Sequence, residues 1–341
     1  MNNKKIFIIF ILIFIFFISK NIYCQDNAKV YVIKKLEFQE INRWYAAYIK
    51  KAIKKASDEG ASLIILELDT PGGLLSSALS IKNYIIESDI PVVAYINKNA
   101  LSAGALISLS CEAIYMSDGS IIGAATPVYM KGGNIEKAGE KEISAMRAAM
   151  RSSAERSKKN VRAAEAMVDE TIILTKSKDG IDLDDKTLLT LSLEEALKVN
   201  IANGKANSII DIIKLRNLSE NSTIINVEEE KYDYILRFLI NPAVLSALIS
   251  IGIIGIYIEL KTPGFGIGGV ISIIAFSIFF FAQIFVGDSG FLSPAIFLLG
   301  IVLLAIEIFV IPGFGITGIL GILGIVAGIF MSFGINNIAQ A

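Results

Sequence analysis

The chain has 341 residues, no histidine, two cysteines and a formal charge of −1, and 53% of its residues are apolar. A metal centre built from histidine and cysteine is therefore excluded. The near-neutral charge, with no basic patch interleaved with aromatics and no P-loop, argues against nucleic acid and acidic partners, and no cofactor is expected. A mean hydropathy of +0.59 is too high for an ordinary soluble protein. Position explains it, because 29–232 reads as globular while 234–335 is almost continuously apolar.

The start, MNNKKIFIIFILIFIFFISKNIYCQ, sets Lys4 and Lys5 before an apolar run from Ile6 to Ile18. Such a run suits the h-region of a secretory signal and is short for a span of roughly 20 residues. Residues 1–24 are therefore predicted to be a signal peptide or N-terminal anchor, so that 25 onward is exported. Cys111 lies in an apolar stretch and reads as a small buried residue, with no disulfide expected.

Next come a strand in KVYVIKKLEF (29–38) and an amphipathic helix over 41–60 that stops at Gly60. ASLIILELDT (61–70) is a dense apolar run ending at Pro-Gly-Gly, as a buried parallel strand would be. A helix from Leu74 to about Glu87, a strand over 90–97, a helix opened by Ser102 and a short strand in CEAIYMS follow. This alternation predicts an α/β domain with right-handed crossovers.

In open α/β sheets, sites gather at the carboxyl ends of strands. Two such ends stand out, LDTPGG (68–73) and NKNALSAG (97–104). Gly72 and Gly73 allow a sharp turn with an exposed N–H, and Ser102 stands where a helix begins, leaving the Ala103 N–H free. Two convergent N–H groups beside a hydroxyl would make an oxyanion hole. Pro-Gly-Gly is equally ordinary turn punctuation and Ser102 an ordinary N-cap, so these residues alone leave both readings open.

Taken together, LDTPGGLLSSALSI, PVVAYINKNALSAGALISLS, AIYMSDGSIIGAATPV and LSLEEALKVNIANGKANS resemble the membrane-bound serine proteases of the NfeD family, a branch of the ClpP/crotonase superfamily. The resemblance covers nearly all of 29–215 and implies a ClpP/crotonase-like α/β domain with a serine–lysine dyad, which needs no histidine. It implies Ser102 as nucleophile, Gly73 and Ala103 as oxyanion donors, and Pro71, Gly72 and Gly104 as the supporting turns. The segment after Pro127 offers Lys131, Lys137, Lys141, Lys158 and Lys159. In the family the dyad lysine precedes an Arg/Lys-Ser pair by ten positions. Lys141 matches, with Arg151-Ser152 ten residues on and Asn160 closing the helix, and Lys137 is the second candidate. A lysine acting as base must be neutral near physiological pH, which burial against apolar neighbours achieves; Ile143, Met146, Tyr129 and Met130 are candidates for that shell.

Beyond EEEKYDY (228–234) four apolar stretches follow, at about 235–259, 267–286, 291–311 and 313–335. IELKTPGFGIGG and IEIFVIPGFGITG repeat with a period of 49 from Pro263 to Pro312, which predicts two membrane hairpins. Residues 233–341 are thus an all-α polytopic membrane domain of about four spans, and INPAVLSALISIGIIGIYIELKTPGFGIGGVIS resembles the NfeD membrane module. With the 25–232 domain exported, both Pro-Gly-Phe-Gly breaks face the cytoplasm, where Lys261 agrees with the positive-inside rule. Glu259 and Glu307 are placed at helix ends there rather than given a function. The OB-like barrel that many family members append is not expected before the sequence ends at Ala341.

The resemblance implies a multi-pass cell-membrane serine endopeptidase with an extracytoplasmic protease domain that pairs into a homodimer. It would cleave hydrophobic segments of stomatin- or prohibitin-like partners. The alternative is a non-catalytic scaffold that binds the hydrophobic tails of stomatin- or flotillin-like proteins. Acyl-CoA chemistry on the related crotonase fold is disfavoured, since export removes the chain from cytosolic CoA.

Overall fold

A computed structural model describes residues 28–34, 40–131, 134–184, 186–262, 266–286, 290–310 and 315–333. The export signal expected at 1–24 lies outside these residues. The strands are β1 Lys29–Ile33, β2 Leu63–Thr70, β3 Val92–Leu101, β4 Ala113–Met116, β5 Ile121–Gly123, β6 Val128–Lys131, β7 Asn134–Lys137, β8 Thr190–Ser192, β9 Gly204–Lys205 and β10 Thr223–Val227. Among them run the helices α1 Arg43–Asp58, α2 Leu75–Ile86, α3 Ala103–Ser110, α4 Glu140–Arg156, α5 Val161–Ala166, α6 Lys176–Asp179, α7 Leu193–Lys198 and α8 Ile209–Leu215.

Contacts divide the chain into two units. The first holds residues up to Glu40, Ala52–Leu75 and Ile81–Val227, and the second Ile41–Lys51, Ser76–Ser80 and residues from Glu228 on. The first unit is built on a sheet of order β10-β1-β2-β3-β4-β9, parallel throughout. β5 adds to the end of β3, and antiparallel β8 adds to β5. β2 is buried along nearly its whole length, as a central parallel strand covered on both faces must be. Alternate residues of neighbouring strands (Val30, Val32, Leu63, Ile65, Val93, Tyr95) form one face of the core against Ile212 and Ile213 of α8. Asn160 caps α5 by accepting from the Ala163 N–H at 3.1 Å, so the break after α4 falls at the expected asparagine.

The strand expected over 29–38 is described as far as Ile33, with 35–39 outside the described residues, and two other elements differ from expectation. β3 runs on to Leu101, four residues past the expected end, because Asn99–Leu101 pair with β5 after a register shift opposite β2. The apolar stretch expected from 235 is two helices, α9 Lys231–Leu239 and α10 Pro242–Lys261. The Asn241 side chain accepts from the Ala243 N–H at 2.9 Å and Pro242 takes the first helical position, so Asn-Pro starts a new helix there.

In the second unit α10, α11 Ile267–Phe285 and α12 Leu292–Phe309 are each long and apolar enough to cross a membrane, and α13 Ile316–Met331 is a shorter apolar helix. α11 packs on α10 and α13 on α12, which gives the two hairpins read from the repeat. Their backbones approach closely: a Cβ on Gly268 would lie 2.6 Å from the Gly255 carbonyl oxygen, and one on Gly300 2.5 Å from the Ile325 nitrogen. Small residues permit this close packing where no hydrophobic effect drives helices together. Both glutamates sit near helix ends, and each turns across its hairpin to cap the next helix. Glu259 accepts from the N–H groups of Gly266 and Gly269 at 2.7 Å, and Glu307 from the Gly315 N–H and the Thr317 hydroxyl. A carboxylate at the first amides of a helix satisfies otherwise orphaned donors.

Candidate active site

Ser102 joins β3 to α3 as the N-cap residue, with φ +53° and ψ −118°. That region of backbone space is costly for any residue with a Cβ, and such strain concentrates where a side chain must be presented in a fixed direction. The Ser102 N–H donates to the Gly123 carbonyl at 2.9 Å, tying the turn to β5, and its side chain makes no cap hydrogen bond. The hydroxyl is thus not engaged in capping α3.

The β2 end wraps around this turn. Gly72 has φ +116°, and a Cβ there would lie 2.5 Å from the Ser102 Cβ and 3.0 Å from its Oγ. Thr70 holds the loop, its Oγ1 accepting from the Gly72 N–H at 3.1 Å. Its methyl group also fills the space beside Gly104, where a Cβ would come within 2.6 Å of it. Gly72 and Gly104 are therefore the two positions at which β2 and α3 approach without room for a side chain. Thr70, which the sequence reading did not single out, is the wedge between them.

Ser102 opens into a cavity of about 520 Å³ lined by Gly73, Leu74, Ala103, Ala125, Val128 and Met146 among others. Gly73 and Ala103, the expected oxyanion donors, thus line the same cavity as the hydroxyl. The Ala103 N–H is at the first position of α3, where no intrahelical acceptor exists, and the helix dipole there favours negative charge. The opposite wall is Ala124–Pro127, also missed in the sequence. Ala124 has φ +46°, its N–H donating to Leu189 at 3.0 Å, while the Thr126 hydroxyl donates to the Val168 carbonyl at 2.5 Å. The lining is mostly apolar and suits hydrophobic side chains.

The candidate lysines separate by position. Lys137, at the end of the β6–β7 hairpin, lines the cavity and pairs with Glu170 at 2.5 Å. Lys141 lies exposed on the first turn of α4, outside the lining residues. Further along α4, Met146 is buried and forms part of the wall. Lys159 is buried, and desolvation pushes its amine down from 10.5 to about 8. Its Nζ donates to Asn203, however, and it does not line the cavity. Lys158 is at the rim of a separate hollow, and the side chain of Lys131 is outside the described residues. Tyr129, expected to shield the lysine, is half exposed and donates its hydroxyl to Glu136 at 3.2 Å. No cluster of three or more metal-ligating side chains occurs among the described residues.

Residues 29–227 match the NfeD1b N-terminal domain, and residues 243–341 match the NfeD integral membrane domain. The chain belongs to the NfeD family. It is 35% identical over 315 residues to the membrane protein NfeD1b of Bacillus subtilis, covering 91% of this chain and 69% of that one. To the membrane-bound protease PH1510 of Pyrococcus horikoshii it is 29% identical over 300 residues, covering 82% of this chain and 64% of that one. The chain thus spans about two thirds of the length of these relatives. A solved structure of the 1510-N membrane-bound stomatin-specific protease is a lysine-to-alanine mutant in complex with a substrate peptide. It matches with a TM-score of 0.51 at 26% identity, over 63% of this chain and 98% of that one. This NfeD protein is accordingly a homologue of a membrane-bound protease, with an α/β domain followed by apolar helices.

Proposed function

We propose that the chain is a membrane-anchored serine endopeptidase whose nucleophile is Ser102 and whose base is Lys141, with a stomatin-like membrane protein as substrate. The observation that carries this reading is the strained Ser102 turn at the mouth of an apolar cavity, beside the first amides of α3. The kinship with the PH1510 protease supports it.

In the proposed reaction a neutral lysine amine takes the Ser102 hydroxyl proton as Oγ bonds to the substrate carbonyl carbon. The Gly73 and Ala103 N–H groups stabilise the oxyanion, each such donor contributing about 3–4 kcal/mol. The C–N bond then breaks and the lysine returns its proton to the leaving amine. Water, deprotonated by the same lysine, hydrolyses the ester and restores Ser102. Lys141 stands five residues before the wall residue Met146 on the same helix, and in this reading bound peptide covers and desolvates it. The 25–232 domain is placed outside the cytoplasm, where a hydrophobic tail of a membrane-associated partner can reach it.

Lys137 is the second reading for the base, favoured by its place in the cavity lining. An ammonium engaged with a carboxylate has no lone pair to accept a proton, so its pairing with Glu170 argues for Lys141 instead. The test is cleavage of an apolar tail peptide by the full chain in lipid nanodiscs. Loss of turnover in Ser102→Ala and Lys141→Ala, with Lys137→Ala retaining it, supports the reading. Loss in Lys137→Ala alone moves the base to that residue. Peptide binding without turnover in the unmutated chain makes the protein a scaffold for hydrophobic tails.

A further inference from the structure

We propose that helix α9, Lys231–Leu239, lies in the plane of the membrane interface and buries its outward face in lipid. Its sequence, KYDYILRFL, is strongly amphipathic. Asp233, Leu236 and Ile240 are buried, whereas Tyr234, Ile235 and Phe238 are 55%, 60% and 65% exposed. Positions 234, 235 and 238 fall on one helical face. Two aromatics and an isoleucine held side by side on a nine-residue helix form an apolar surface that water does not favour.

The depth of this helix is set by covalent connection and by packing. Only Ile240 and Asn241 separate it from Pro242, where the first candidate span begins. Its Tyr232 ring meets Phe285 edge-on at 6.2 Å, and Phe285 is the last residue of the second candidate span. The beginning of one span and the end of the next therefore both lie beside α9, which fixes it at one boundary of the hydrocarbon layer. Aromatic residues concentrate at that boundary, and amphipathic helices there bury one face by about 5–10 Å.

The cations beside this face are already partnered. Arg237 lies between the Tyr234 ring, at 5.3 Å, and the Trp44 ring, at 5.7 Å, and pairs with Glu229 at 3.4 Å, while Lys51 lies over Tyr232 at 4.3 Å and pairs with Glu230 at 3.1 Å. These cations are neutralised by carboxylates of the same segment. The lipid contact is therefore hydrophobic rather than electrostatic, and α9 should enter zwitterionic phosphatidylcholine as readily as an anionic bilayer.

Phe238→Trp and Tyr234→Trp place a reporter on this face, read as the difference from the chain's single native tryptophan, the buried Trp44. The full chain is reconstituted in phosphatidylcholine brominated either high or low on the acyl chain. Shallow bromines are expected to quench the added fluorescence about two-fold more than deep ones, as an interfacial position requires. Twenty per cent phosphatidylglycerol should leave that ratio unchanged. Quenching by aqueous acrylamide without bromolipid quenching overturns the proposal by putting the face in water. Protection from both quenchers overturns it in favour of a covering protein, and dependence on the anionic lipid overturns the charge-independent mode.

Discussion

The Ser102 turn makes a prediction in which backbone strain can be read apart from catalysis. Ser102→Ala and Ser102→Gly both delete the hydroxyl, so both lose peptidase turnover. Their stabilities should differ, because alanine keeps the Cβ that is unfavourable at φ +53° and ψ −118° and glycine does not. Strain at such a position is about 1–3 kcal/mol, and glycine costs about 0.5–1 kcal/mol more conformational entropy on folding. The net expectation is that Ser102→Gly is more stable than Ser102→Ala by about 0.5–2 kcal/mol. Ser102→Ala should stay near the unmutated protein, since the side chain makes no cap hydrogen bond. Cys111, wholly buried and directly following α3, provides the assay. In a Cys24→Ser background, the rate at which a thiol reagent labels Cys111 reports the population of opened domain, provided closing outpaces labelling. A difference of 1 kcal/mol appears as a rate about five-fold slower in the glycine variant. Equal rates, or faster labelling in the glycine variant, would refute the assignment of strain to this turn.

Gly72→Ala should abolish cleavage and destabilise the domain, since its Cβ would meet the Ser102 Cβ at 2.5 Å. In a Ser102→Gly background the stability penalty should shrink, a coupling that the Cys111 assay reads directly. Lys159 carries a pH dependence. Its folded amine titrates near 8 and its ordinary value is 10.5, so between them the unfolded chain holds a proton that the folded one has released. Stability should therefore be lowest below about pH 8, rise by no more than about 3 kcal/mol toward pH 10.5, and then level off. Lys159→Met should flatten that rise in denaturant titrations, and an unchanged slope would exclude the buried amine as its source. Gly300→Ala should cost the α12–α13 hairpin about 1–3 kcal/mol through the clash with Ile325, measured as a lower unfolding midpoint in micelles.

Much of this architecture is local and was legible for that reason. The run from Leu63 to Thr70 and the strand–helix alternation reflect period and hydrophobicity along a few residues, and the Pro-Gly-Phe-Gly repeat, most of it outside the described residues, falls between the paired helices. Thr70, Gly123 and Ala124 escaped because their roles depend on partners distant in sequence: a methyl wedged beside Gly104, a carbonyl reaching back to Ser102, an amide bound to Leu189. The phrase GAATP after β5 was the available signal, a glycine ending a strand before small residues. Hydropathy alone merged α9 with α10, although Asn241-Pro242 is a helix-start signal lying in plain view. For the lysines, motif spacing selects Lys141 whereas cavity lining selects Lys137, because spacing along a helix does not say which side chain a cavity admits.

Pairing of β1 with β10 gives the sheet a seam between its earliest and latest strands. Lys29 stands opposite Thr223, 194 positions later (223 − 29). Closing so long a loop carries an entropic cost of about 5 kcal/mol, and β1 gains this neighbour only after nearly the whole domain has been synthesised. During synthesis the first-made strand of the sheet must therefore wait, with one edge unzipped. The nascent domain would persist in that half-closed form until β10 emerges, and a chain cut before residue 223 would never leave it.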